Sequence, residues 1–382
     1  MSLLIIGNRS HQLLVGLVED IKKEDNSLRI DILSQETTNT VYKTDGLYDN
    51  IFYLKMANVF NKFRFIKGVF KQILFRKRIK NISDKYDFIH IHYVEDIILR
   101  DVDFFLKNIK AKLIISIWGS DFYRATTKKR KALLKLLNAA NTVTIANKKA
   151  KEDIELYYAG KLKTNGIKIC KFTIKQLYNV MELTEKFNKI DSRNVLKFKK
   201  DITTITIGYN ASKMQQHLDV INILEKHEGI VKRANDILLV FPLTYPKDKD
   251  YIREIKNRIE KSPFKAKVIT EFMTDDDVSH LRNATDIMVQ VQTTDMFSAS
   301  MLEHLYAKNS VITGSWLPYK ELNEWGISYS TIDVISGLGD ELYRVLLKQK
   351  NNDINLNKNT QIIKEKLSRE RLIGNWLKLY NE

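Results

Sequence analysis

A single cysteine, Cys170, in 382 residues rules out an internal disulfide and any cysteine-based metal cluster, and it suits a reducing compartment. Four prolines and fourteen glycines leave little room for disordered linkers. No uninterrupted apolar run reaches the roughly 20 residues that span a bilayer. The start, Met1-Ser2-Leu3-Leu4-Ile5-Ile6-Gly7, is apolar but has no basic segment before it and runs into Asn8-Arg9, so it reads as a first strand and not as a signal peptide. The loop at Gly7 is not a GxGxxG, so a dinucleotide fingerprint is missing. An Asp-x-Asp triplet in a loop suited to a divalent ion is missing too. Asp101-Val102-Asp103 has the letters but falls at a helix start.

What is present is an ordinary globular composition, 44% hydrophobic and 29% charged, on a chain long enough for two domains. The formal net charge of +17 suggests nucleic acid, anionic lipid or an anionic substrate as partner. No nucleic-acid-binding motif accompanies the charge, so nucleic acid is not expected.

Strand and helix patterns alternate from the start. Leu3–Ile6, a loop carrying His11, a helix from Gln12 to Ile21 and a strand Arg29–Leu33 argue a parallel α/β sheet. Tyr86–His92 alternates polar and apolar residues and ends in the pair His90 and His92, whose spacing alone is weak evidence for a metal. Lys112–Ile117 is a further strand, followed by Trp118-Gly119-Ser120-Asp121. Asp121 reads either as a proton-transfer or acceptor-binding residue or as the cap of a helix near Tyr123. Residues 182–200, rich in Lys, Asn and Asp, look like a linker. A second α/β pattern begins at Ile202–Ile207 and Gly208-Tyr209-Asn210-Ala211-Ser212-Lys213, with His217 opening the next helix.

Residues 52–80 are distinctive. Phe60, Phe63, Ile66, Phe70, Ile73 and Leu74 recur at helical spacing, and eight cations from Lys62 to Lys80 accompany them without an intervening acid. A basic amphipathic helix of this kind suits a peripheral membrane contact through Phe63, Lys67, Phe70, Lys71, Lys77 and Arg78. The alternative is a core-packing helix with a solvated basic back.

The stretch 286–313, DIMVQVQTTDMFSASMLEHLYAKNSVIT, reads as strand, loop, helix and strand. Ser298 suits the cap of a helix starting at Ala299, and the free N–H groups of such a helix start attract anions. Asp295 and Glu303 lie eight positions apart around it, and carboxylates can accept hydrogen bonds from sugar hydroxyls. The stretch resembles the donor-site segment of GT-B glycosyltransferases with a Glu-x7-Glu pattern. Asp295 falls on the first acid, Phe297 on the usual Phe, Ser298 on the usual Gly, Glu303 on the second acid and Ala307 on a small residue. Residues 308–313, KNSVIT, match the usual G-x-P-V-I loosely. Asp87, His90 and His92 resemble the family's D-x-x-H-x-H segment. Trp118–Asp121 resembles its H-G-x-D segment, with Trp118 in place of His.

The resemblance implies two Rossmann-like domains facing across a cleft: 1–183 for the acceptor, a linker 184–200, 201–360 for the nucleotide-sugar, and a terminal helix within 361–382 returning to the first domain. It implies sugar transfer to a hydroxyl acceptor, without a metal or other cofactor, the nucleotide-sugar being substrate. His11, His92 and Asp121 would serve the acceptor side. Gly208, Tyr209, Lys213, His217, Asp295, Phe297, Ser298, Ala299, Ser300 and Glu303 would bind the donor. Lys213 falls on the Lys of the family's G-R-x4-K loop, whereas Tyr209 stands where Arg is usual. The segment 202–312 also resembles, weakly, bacterial 4-acetamido-4,6-dideoxygalactosyltransferases, which build lipid-linked surface glycans. The acceptor is then a glycan, a lipid-linked sugar or a protein, and the place of action the cytoplasmic face of the plasma membrane. One resemblance leans towards retention of anomeric configuration and the other towards inversion. A non-catalytic GT-B-like partner of another transferase is the competing reading, supported by Tyr209.

Overall fold

A computed structural model describes residues 1–34, 46–54, 64–163, 166–246, 248–295, 297–348 and 354–381, with backbone alone at 64–67, 83 and 354. The chain divides into two compact units, Met1–Ile174 with Arg369–Glu382, and Lys175–Ser368.

The first unit is built on a sheet of strands β1 (Ser2–Gly7), β2 (Arg29–Ser34), β3 (Asn50–Tyr53), β4 (Phe88–His92), β5 (Lys112–Ile117), β6 (Thr142–Ile145) and β7 (Ile167–Ile169). Their order is β3-β2-β1-β4-β5-β6-β7, and every neighbouring pair is parallel. Leu3, Leu4, Ile5 and Ile6 are all buried, as a parallel strand covered on both faces requires. The helix Arg369–Asn381 belongs to this unit and lodges the fully buried Trp376 against Phe172, with Trp376 Nε1 donating to the Lys171 carbonyl at 2.8 Å.

The second unit repeats the plan with β8 (Thr203–Ile207), β9 (Ile237–Pro242), β10 (Lys265–Ile269), β11 (Ile287–Gln290), β12 (Ser310–Gly314) and β13 (Ser330–Ile332). The order is β10-β9-β8-β11-β12-β13, again parallel throughout. Along β8 the period of two sends Ile205 and Ile207 into one apolar cluster. Thr204 and Thr206 are also fully buried, and Thr206 Oγ1 meets Thr285 Oγ1 at 2.8 Å.

In each sheet the strand order reverses direction once beside its first strand, between β1 and β4 and between β8 and β11. Parallel α/β sheets bind ligands in the crevice outside the carboxyl ends of the strands at this switch point.

Two expectations about elements change, and for the basic helix one of the two readings falls away. Residues 184–200 are mostly helical: the helices Lys175–Lys186 and Lys189–Leu196 pack on the helix Asp275–Ala284 within the second unit. The Lys- and Asn-rich composition there reflects solvated helix faces. The terminal helix is two helices, Ile354–Lys366 in the second unit and Arg369–Asn381 in the first. The helix Arg64–Ile82 does not pack its Phe70 and Ile73 stripe into the core; it packs on the unit through another face. Phe75, Ile79 and Ile82 are buried, Phe75 stacking on Phe105, whereas Val69, Phe70 and Ile73 are exposed. Arg76 Nε donates to Asp101 at 2.6 Å, and Asp103 pairs with Lys135, so neither acid of that triplet is free for an ion.

Candidate functional site

The second unit gathers the expected donor residues at the switch point of its sheet. Gly208 follows β8 and has φ +63, a left-handed conformation suited to glycine. A Cβ there would stand 2.9 Å from both Gln215 Oε1 and His217 Nε2. Both atoms are buried and lack a hydrogen-bond partner among the described residues. His217 Nδ1 lies 3.3 Å from the Tyr251 hydroxyl, and burial pushes the His217 pKa down to about 4, so the ring is neutral. Lys213 stands in the 3-10 turn Lys213–Gln215, exposed, with Nζ 5.6 Å above the Tyr251 ring.

Across the switch point, the loop after β11 supplies the acidic pair. Ser298 caps the helix Ala299–Tyr306: its hydroxyl accepts from Met301 N at 3.1 Å and donates to Gln290 Oε1 at 3.2 Å. The first-turn N–H groups of Ala299 and Ser300 have no partner within the helix, as at any helix start. The Ser300 hydroxyl is buried and without a partner among the described residues. Phe297 is partly buried.

Asp295 accepts a short hydrogen bond from the Tyr319 hydroxyl, which also accepts from Gln290 Nε2 at 2.7 Å. Burial and the Asp295 charge raise the Tyr319 pKa, so the phenol stays a donor. Tyr209 lies beside Gln215, Gln292 and Asp295, and burial, helped by the Asp295 charge, pushes its pKa up to about 12. A neutral phenol occupies the place where the family pattern has a cation. Trp316 borders the group, its Nε1 donating to the Gln292 carbonyl at 2.9 Å. A Cβ on Gly314 would stand 2.3 Å from the Trp316 ring, so that ring position needs glycine.

Glu303 is 5% exposed and ion-paired: Oε2 accepts from Arg282 Nε at 2.9 Å and Nη2 at 2.8 Å. Arg282 Nη1 is 3.1 Å from His304 Nε2. A guanidinium can only donate, so the fully buried His304 is held neutral, its pKa well below the usual value through burial and the Arg282 charge. The second acid of the motif is thus anchored by a charge-assisted pair that fixes its rotamer and leaves Oε1 without a bond among the described residues.

The three residues expected on the acceptor side meet at the switch point of the first sheet, around Trp118. His11 caps the helix Gln12–Glu24, its Nδ1 accepting from Leu13 N at 3.3 Å, and its ring stands edge-on to Trp118 with centroids 4.5 Å apart. That bond places the proton of the neutral ring on Nε2. His11 therefore presents an N–H donor and not a base, and burial lowers its pKa further.

His92 is 1% exposed, caged by His90, Trp118, Phe172 and Trp376, with both ring nitrogens lacking a partner among the described residues. Burial pushes its pKa down to about 3. His90 is no metal ligand, because its nitrogens meet the Tyr380 hydroxyl at 2.9 Å and Ser116 Oγ at 2.7 Å.

Asp121 accepts from the backbone of Val94 at 3.0 Å, Trp118 at 3.1 Å and Gly119 at 2.9 Å. It clamps the loops after β4 and β5 together. Burial pushes its carboxyl up to about 6 despite those three bonds. Asp121 lies inside the short helix Ser120–Tyr123, whose N-cap is Gly119, so it is not that helix's cap; its carboxylate instead ties the two loops through their backbone N–H groups.

Of the membrane candidates, Phe63 and the Lys67 side chain lie outside the described residues. Phe70 and Lys77 are exposed, Lys71 is partly buried, and Arg78 lies 5.9 Å over the Phe52 ring.

Sequence reasoning missed Arg282, Gln215, Gln290, Gln292, Trp316 and Tyr319. Each acts by reaching across from another element, and no local spacing signals that.

The chain has the GT-B glycosyltransferase fold. It superposes on a glycosyltransferase from Rickettsia africae with TM-score 0.71 at 13% identity, over 99% of this chain and 97% of that one. It superposes on Anabaena HepE, solved with UDP, with TM-score 0.69 at 12% identity over 100% of both chains. Sucrose-phosphate synthase from Thermosynechococcus elongatus aligns at 0.65 and 11%, over 100% of this chain and 98% of that one. Within the first unit, residues 4–148 match the family model described as glycosyl transferase 4-like. No curated protein sequence matches the chain.

Proposed function

We propose that the protein transfers a sugar from a nucleoside diphosphate sugar to a hydroxyl acceptor. The observation that carries this reading is that Gln215 Oε1, His217 Nε2 and Ser300 Oγ, all buried and without a partner among the described residues, stand in the segments that follow the neighbouring strands β8 and β11, as Asp295 and Glu303 do. Buried polar atoms without partners are rare, and a ligand with matching groups accounts for them.

In this reading the acceptor oxygen bonds to the anomeric carbon, the bond from that carbon to the diphosphate breaks, and the acceptor proton is taken up by the departing diphosphate or by water. Lys213 and the N–H groups at Ser298–Ser300 meet the departing diphosphate, Glu303 Oε1 accepts from the ribose, and Asp295, held by Tyr319, faces the sugar. His11 donates to an oxygen on the acceptor side. With cations and helix N–H groups at the diphosphate, turnover needs no divalent ion and should survive EDTA.

UDP is the first nucleotide to test, since HepE was solved with it. Calorimetry should show UDP binding to the wild type. Glu303→Gln, checked for an intact melting transition, should weaken it by about 1.5–3 kcal/mol, the range for a hydrogen bond to a charged group. Unchanged affinity would make the Arg282–Glu303 pair purely structural. Failure of the wild type to bind any nucleoside diphosphate would remove the transferase reading.

The acceptor we infer is a lipid-linked or surface glycan, and the working place the inner face of the plasma membrane. Among the described residues no helix is long and apolar enough to cross a membrane. The helix Arg64–Ile82 instead exposes Val69, Phe70 and Ile73 together with Lys77 and Lys80, an apolar patch set among cations. Apolar insertion and attraction to anionic lipid act together on such a face. Wild type should co-sediment with phosphatidylglycerol vesicles at low salt and release as salt rises, since surface charges are screened over about 8–10 Å at physiological ionic strength. A Lys71→Gln, Lys77→Gln, Arg78→Gln variant that sediments like wild type would end the membrane assignment.

A further inference from the structure

The second unit has an open cavity of about 810 Å³ at the opposite edge of its sheet, where β11 and β12 begin. Its size is that of a small-molecule site. β11 and β12 are four and five residues long, so at about 3.3 Å per residue the cavity lies roughly 13–17 Å from the donor edge.

Charge inside it is unbalanced. The two lining acids are already engaged: Asp286 by Lys189 and Arg193, and Glu185 by Lys364 and the Tyr306 hydroxyl. Lys308 and Lys348 also line the cavity, both exposed and neither in an ion pair among the described residues. Arg344 adds a third cation, sharing itself between Glu341 and the Ser330 hydroxyl. Ser310 and Ser328 contribute hydroxyls to the same wall.

Lys308 carries the argument further. It follows the helix Ala299–Tyr306 with φ +65, the left-handed position where helices commonly end on glycine. A lysine there is strained, and strain of this kind is retained where a side chain is needed. Within the G-x-P-V-I pattern that residues 308–312 match loosely, Lys308 stands at the Gly and Ser310 at the Pro. Both departures face this cavity, one adding a cation and the other a hydroxyl.

We propose that this cavity is a second ligand site, separate from the donor edge, for a sugar bearing a phosphate or carboxylate group. Lys308 and Lys348 meet the anion, and Ser310, Ser328 and Ser330 meet hydroxyls. Carbohydrate hydroxyls suit a wall this rich in serine, and an anion suits Lys308, which no acid answers among the described residues, with Lys348 sharing only the charge of Glu341, already paired to Arg344.

The test uses the full chain with glucose 6-phosphate, glucose, inorganic phosphate and UDP, read by calorimetry. Glucose 6-phosphate should bind wild type at millimolar concentration or below, more tightly than glucose or inorganic phosphate, and saturating UDP should not displace it. Lys308→Gly places the residue its backbone favours, so it should hold or raise the melting temperature. Combined with Lys348→Gln it should weaken glucose 6-phosphate by at least about tenfold, with UDP binding unchanged. Displacement by UDP, equal affinity in wild type and variant, or no binding by wild type would overturn the proposal. Inorganic phosphate binding as tightly as the sugar phosphate would overturn its sugar component.

Discussion

Cutting Arg282 back to alanine is expected to destabilise the second unit by about 3–5 kcal/mol, the loss seen when one partner of a buried ion pair is removed. Arg282 and Glu303 are 6% and 5% exposed, so the stranded carboxylate finds little water. The same change takes away the donor to His304 Nε2. For a unit of this size the melting temperature should fall by roughly 6–20 °C, at about 2–4 °C per kcal/mol. Arg282→Lys should recover only a small part, since one ammonium cannot reach both Glu303 Oε2 and His304 Nε2. Replacing the pair together, Arg282→Met with Glu303→Leu, should restore much of the stability while still weakening nucleotide binding, which separates the structural from the binding role of Glu303. A wild-type melting curve for Arg282→Ala would show that the pair contributes little.

Mild acid should also unfold the protein, beginning near pH 6.5. Four buried histidines are held below their usual pKa by burial: His92 at about 3, His217 at about 4, and His90 and His304 well below 6.5. In the unfolded chain they take up protons near 6.5, so the stability they contribute is present above that pH and is lost as pH falls towards the folded values. Between about pH 6.5 and pH 5 each removes roughly 1.5 kcal/mol, at about 1.4 kcal/mol per pH unit for a full proton. Asp121 works the other way: its carboxyl, raised to about 6, favours the folded state as pH falls through that value. It returns about 1 kcal/mol to the first unit over the same range. Asp121 belongs to the first unit, so the second unit, which holds His217 and His304, should melt first in acid. His92→Phe, which fills the same aromatic cage without a titrating group, should flatten the pH dependence of the first unit by about one proton. A slope equal to wild type would show that His92 is protonated in the folded protein.

The sheets were legible because their strands are continuous apolar runs with β-branched residues, as in Leu3–Ile6 and Ile287–Val291, and such runs read the same in any context. The motif helix was legible for a similar reason: Ser298 and the Met301, Leu302, Leu305 repeat are local signals. The basic helix left two readings open, membrane contact or core packing; Phe70 is exposed, whereas Phe75, outside the stripe, is buried against Phe105. Asp121 left two readings open in the sequence; its three backbone bonds come from residues brought close by the loops after β4 and β5, including Val94, 27 positions away. The partners of Glu303 and Asp295 were illegible, since Arg282 and Tyr319 stand 21 and 24 residues from them on other elements. Asp295 and Glu303 are marked as candidates by local pattern, whereas what holds each of them in place is decided by tertiary contacts.

The first unit is discontinuous, and this dictates an order of events at the ribosome. Its sheet is complete by Ile169, yet Trp376, which packs on Phe172, His90 and His92, is synthesised only after the whole of the second unit. Until that helix emerges, the aromatic floor of the first unit stays open to water and to chaperones, while residues 175–368 can already close around a core of their own. The second unit is therefore an insertion in folding time as well as in sequence, and the first matures last although it is made first.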